Sequence, residues 1–192
     1  MVQHHQCVRR SAVGLVLVWL IVALAMPAAA ADVKSFFGAY VGVAQVEDAA
    51  TGATEERDMD IVIKPFHRDG FQVHWINVSL VDGRRDRPGV KRRVQNALFE
   101  PAEDRDFFVE VDEDNPFRET EGTQPMRGDP VRWAKVDGGH MQVCSFVVLE
   151  DGQYELQVYD RVLTESGMDI QFQRILDGEV VRRVTGTTVR VE

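Results

Sequence analysis

"HMQVCSFVVLEDGQYELQVYDRVLTESGMDIQFQRILDG", residues 140–178, is the stretch whose reading decides the fold. Runs rich in Val, Ile, Leu, Phe and Tyr are separated by Asp151-Gly152 and Ser166-Gly167, and Asp177-Gly178 closes the stretch. Glycine accepts the positive φ that tight turns require, so Asp-Gly between alternating apolar residues marks a β-hairpin. The same signal stands upstream at Asp69-Gly70, Asp82-Gly83 and Asp137-Gly138. The spacing predicts strands near residues 36–46, 56–66, 71–81, 91–99, 106–111, 130–136, 140–150, 153–163, 168–176 and 179–191. Helical periodicity is absent after residue 31. Long successive strands joined by tight turns predict an all-β fold, an antiparallel up-and-down β-barrel of about 8–10 strands, rather than an immunoglobulin-like sandwich. An outer-membrane barrel would need an apolar face toward lipid on every strand, whereas "ERDMDIVIK" and "EVVRRVTGTTVR" carry charges on both alternations.

The chain opens with Arg9 and Arg10, continues through "SAVGLVLVWLIVALAM" at residues 11–26 without a charge, and reaches "PAAAAD". A basic start, an apolar stretch and crowded small residues are the layout of an export signal cleaved after Ala30 or Ala31. The competing reading is a retained anchor, since residues 12–31 approach the ~20 apolar residues that a spanning helix needs. The expectation is a signal peptide over 1–31, a single barrel domain over 32–192, a periplasmic or secreted location, and no membrane span in the mature form. Cys144 is then the only cysteine left, and one thiol cannot form an internal disulfide. The whole chain has 22 basic and 31 acidic residues, a formal charge of −9, which becomes −11 without Arg9 and Arg10. So acidic a chain is repelled by nucleic acid and by anionic membranes.

Three segments invite functional readings. Arg127-Gly128-Asp129 is the tripeptide of adhesion proteins, but it stands where a turn would deliver a strand beginning at Val131. "RRDRPGVKRR" at 84–93 is basic and residues 100–121 are acidic, and two solvated loops, or a surface for a protein partner, account for both. "DEDNPFRETE" begins with Asp112 and Asp114 at calcium-loop spacing, but Pro116 occupies the next ligand position and no glycine follows. His67, His74 and His140 have no ligand-pair spacing, and no nucleophile elbow or phosphate-binding glycine loop is present, so no cofactor, metal site or catalytic residue is expected.

Turn lengths set register, and register decides which side chains share a face. Three-residue loops at 137–139 and 165–167 and a two-residue turn at Asp151-Gly152 would align Trp133, Val143, Val158 and Phe172 on one face. Asp160 and Arg174 would lie among them. A two-residue turn at Asp177-Gly178 would oppose Arg183 to Phe172, whereas a three-residue loop there would oppose Arg182 to Arg174, a disfavoured like-charge pair. The expected site is thus Trp133, Asp160, Phe172, Arg174 and Arg183, with Tyr159 and Trp75 outside. Aromatic walls beside paired charges suit a small, partly apolar ligand with a polar head. The alternatives are an envelope protein-protein interaction module, a buried structural salt-bridge cluster, and an enzyme using Asp160 and Arg174.

Gly38-Ala39-Tyr40 opens the first strand and arginines stand on the last, Arg183 or Arg190. This resembles the G-x-W opening and terminal-strand arginine of the calycins, the lipocalin-like barrels, and implies an interior that carries small hydrophobic molecules. "RGDPVRWA" and "YELQVYDR" are also similar to stretches in exported proteins of Gram-negative bacteria, which implies the compartment but no activity.

Overall fold

A computed structural model describes residues 33–103, 106–112 and 123–191. The expected export segment at 1–31, the Asp114 and Pro116 part of the calcium-loop reading, and much of the acidic segment lie outside the described residues. The strands are β1 (Gly38–Asp48), β2 (Thr54–Phe66), β3 (Gly70–Ser79), β4 (Arg92–Pro101), β5 (Phe107–Val111), β6 (Val131–Asp137), β7 (His140–Val148), β8 (Tyr154–Leu163), β9 (Gly167–Leu176) and β10 (Glu179–Arg190). Each pairs antiparallel with its neighbour in sequence, and β10 returns to pair with β1, closing an up-and-down barrel. All ten coincide with the expected strands to within about two residues.

The turns differ from expectation by single residues. Asp137 pairs with His140, so the loop is Gly138-Gly139, one residue shorter than expected. Leu149 bonds to Gln153 across Glu150-Asp151-Gly152, one residue longer. Thr164 bonds to Gly167 across Glu165-Ser166, again one shorter. Because side chains alternate with period two, each slip reverses a face. β7 and β9 present the expected side chains inward, while β6 and β8 present the opposite set. The Arg127-Gly128-Asp129 segment is a turn, with Gly128 at φ 89° and the Asp129 carboxylate accepting from the Gln124 N–H at 3.1 Å. It delivers Arg132 and Ala134 to the interior rather than Val131 and Trp133.

One end of the barrel is packed solid. Phe36, Tyr40, Ile63, Phe71, Phe99, Val136, Met141 and Met168 are essentially inaccessible, and the Phe71 ring stacks on Phe99 and meets Phe108 edge-on, both at 5.0 Å. A single 3-10 turn, Val33–Phe36, stoppers this end. Tyr40 holds it by donating its hydroxyl to the Phe36 carbonyl at 2.9 Å, and the Arg190 guanidinium lies against the Tyr40 ring, donating to its oxygen and to the Ser35 carbonyl. Of the two arginines the sequence offered as partners for Tyr40, the structure brings up Arg190. Near this end β1, β9 and β10 approach so closely that a Cβ on Gly42 or Gly167 would strike the backbone at Thr187 or Thr188.

The outer face carries Glu47, Glu56, Asp58, Asp60, Lys64, Arg92, Asp169 and Arg183, spread over β1, β2, β4, β9 and β10. Among the described residues no helix is long and apolar enough to cross a membrane. Replacing Tyr40 by Phe removes the oxygen that joins the stopper to the last strand. Tyr40→Phe is expected to lower unfolding stability by about 1–3 kcal/mol, read as a reduced urea midpoint at unchanged slope.

Candidate functional site

Above the packed end the barrel encloses a cavity of 430 Å³. Its walls are Ile61, Trp75, Tyr159, Ile170 and Phe172, and its polar lining includes Asn77, Gln95, Arg57, Arg93, Glu155, Gln157, Arg161, Arg174 and Arg182. Five arginines against a single glutamate make the lining cationic in a chain whose formal charge is −9.

Strand β8 supplies the polar spine. Its inward alternation is Glu155, Gln157, Tyr159 and Arg161, while Tyr154, Leu156 and Val158 face outward. Hydrophobic alternation alone predicts the reverse, since the apolar residues of a half-buried strand normally point to the core. The Tyr159 hydroxyl donates to Gln157 Oε1 at 2.6 Å, Gln157 Nε2 donates to Glu155 Oε1 at 2.5 Å, and Arg174 donates to Glu155 Oε2 through Nε at 2.8 Å and Nη2 at 2.5 Å. Burial pushes the Glu155 carboxyl up, but the Arg174 and Gln157 hydrogen bonds outweigh it and hold the group below its ordinary range. On β6 the polar belt continues as Arg132, which donates to Glu110 at 2.7 Å. There burial prevails and raises the Glu110 carboxyl.

Arg161 stands at the floor of the cavity and is 2% exposed. Its Nε and Nη1 are sealed from solvent without a hydrogen-bond partner. Its guanidinium lies 5.9 Å from the Trp75 ring and 5.7 Å from the Tyr159 ring. Trp75 is itself fixed by donating Nε1–H to Gln95 at 2.8 Å. Burial pushes Arg161 down to about 10, so it stays charged at neutral pH. Each cation–π contact contributes about 0.5–2 kcal/mol. Withdrawing a guanidinium from water costs several kcal/mol. As it stands, Arg161 destabilises the fold.

Of the five residues expected from the sequence, Phe172 and Arg174 line the cavity. Trp133 pairs with Cys144 and Val109 on the outer wall, because the Gly138-Gly139 loop reverses β6. Asp160 is also outside, accepting from Gln142 at 2.9 Å and sitting 2.8 Å from His140 Nε2. Asp160 and Arg174 therefore act on opposite sides of the wall and form no pair. Arg183 is outside for a different reason. The Asp177-Gly178 turn has the expected two residues, but a β-bulge between Val180 and Arg182 shifts the register, pairs Arg182 with Arg174, and turns Arg183 toward Glu47 at 4.0 Å. The like-charge pair is tolerated because Arg174 is turned onto Glu155, which also feels Arg182.

Sequence reasoning missed Trp75, Tyr159, Arg161 and Arg182. The signal was present in "YELQVYDR", where Glu, Gln, Tyr and Arg recur at every second position and so must share one face. Two of the six basic side chains in the segment 84–93 are paired within the chain: Arg84 binds Asp86 at 2.7 Å and Arg85 bridges Asp58 and Asp60. Among the described residues no cluster of three or more His, Cys, Asp and Glu side chains is arranged to hold a metal ion. No protein-family model matches the chain, and no curated protein matches it.

Two outcomes follow from the titrating groups. A glutamate with a lowered folded-state pKa stabilises above its ordinary value of 4.5 and loses that contribution as pH falls through the folded value. Glu155→Gln should therefore cost about 1 kcal/mol at pH 7, below the usual charged-bond range because Arg174 is 39% exposed and solvent screens the pair, with the difference shrinking in acid denaturant titrations. Burial, then Asp160, push the Cys144 thiol up to about 11. Iodoacetamide at pH 8 should leave native Cys144 largely unlabelled and modify it fully in denaturant.

Proposed function

We propose that this barrel is an exported, soluble carrier that holds a small, partly apolar molecule in its interior. The observation that carries the reading is the contrast between the two ends: one is filled by Phe36, Phe71, Phe99 and Phe108, while the other leaves 430 Å³ open behind Trp75, Tyr159 and Phe172. Aromatic walls with a few convergent polar groups are the usual makeup of a ligand pocket, and the volume falls within the ~300–1,000 Å³ such pockets span. Export to the periplasm or beyond is supported by the basic, apolar and alanine-rich order of residues 1–31. The calycin likeness is supported by the closed meander and by Arg190 packed on Tyr40.

A second reading, an interaction module, is favoured by an outer stripe on β5 to β8. Val109, Trp133 and Val158 run across it beside Phe146 and Tyr154, whose rings stack at 5.8 Å. Native mass spectrometry of the protein purified from cells that export it separates the two. A retained small molecule supports the carrier, and a stoichiometric protein partner on an empty barrel supports the module.

The neutral dye N-phenyl-1-naphthylamine is expected to bind once per barrel with a rise in fluorescence. Val184→Trp, which places an indole in the cavity, should weaken that binding by about tenfold or more, equivalent to ~1.4 kcal/mol. Undiminished binding in the variant, or none in the native protein, would remove the carrier reading.

A further inference from the structure

Arg161 is costly where it stands, and nothing among the described residues compensates it fully. Its Nε and Nη1 find no acceptor among the described residues, since the glutamate of the cavity, Glu155, stands six residues away along β8 and is bonded to Arg174 and Gln157. Two aromatic rings flank the guanidinium, and the side chain lines the cavity. We infer that Arg161 is the deep anchor for the carboxylate of an amphipathic monoanion, a conclusion that rests on the carrier reading and narrows its ligand class.

A guanidinium offers parallel donors in a planar fork, which a carboxylate matches with both oxygens. One fixed cation among Trp75, Tyr159 and Ile170 matches one negative charge at the depth of the cavity. The tail of the molecule then lies along Phe172 and Ile61, above the head group. Arg93 and Arg182 line the same space and have no ion pair among the described residues. A cationic lining between low-dielectric walls concentrates anions at the opening even though the whole chain is acidic. Neutral ligands of the same shape gain none of this.

Calorimetry with the full mature chain tests the anchor through head groups matched on one tail: decanoate, decanol and decylamine, with 2-naphthoate and 2-naphthol covering ring-shaped tails. The carboxylates should bind about 10- to 100-fold more tightly than the alcohols, the range expected for hydrogen bonds to a charged group, and the amine should bind least. Arg161→Met should abolish that preference, leave alcohol binding unchanged, and raise the melting temperature, because an unpaired buried charge is replaced by a side chain of similar length. A merely structural arginine would lower it. Alcohols that bind as well as carboxylates, or an Arg161→Met barrel that keeps its carboxylate preference, would overturn the anchor and leave the carrier standing. Failure of every probe on the native protein would overturn both. The head-group comparison on the native chain decides the matter even where the variant does not fold.

Discussion

Closure of the sheet on itself is the constraint from which the remaining features descend. Once β1 pairs with β10, the strands enclose a fixed volume and every second side chain must enter it. Ten strands enclose more space than small barrels fill with side chains, so the sequence must choose between packing that space and leaving it open. It does both. Large aromatic and aliphatic residues fill the end near Tyr40, whereas the end near Val46 and Val184 is lined by aromatic rings interleaved with polar and charged side chains.

The polar half is held together by charges that are each compensated in a different way. Arg174 and Glu155 neutralise each other, Arg132 and Glu110 do so with a carboxyl whose ionisation burial opposes, and Arg161 has only the faces of two rings. These three degrees of compensation rank the groups by what they can offer a visitor. A satisfied pair shapes the wall, whereas an unsatisfied donor can still form a bond.

Secondary structure was legible because turn chemistry and β-rich runs are local, and both alternate along "YELQVYDRVL" whichever face is inward. The inward face was not, because it depends on counts of one residue in a loop. Gly138-Gly139 forms a two-residue hairpin loop without Asp137, and Gly152 adds Glu150 to its loop. The bulge at Val181 has no local signature, yet it exchanges Arg182 for Arg183. Apolar residues such as Trp133 and Val158 are drawn to the interior by the ordinary rule that hydrophobes face the core. That rule fails on β8, and disagreement between pattern and placement is what a binding surface inside a barrel produces.

The stopper at Val33–Phe36 carries a kinetic meaning. With that end closed by Phe36 and bolted by Tyr40 and Arg190, the cavity is a blind alley and not a corridor. On the carrier reading, a guest that enters head first would have to leave tail first past the arginines of the lining, so one guest would depart before the next arrives.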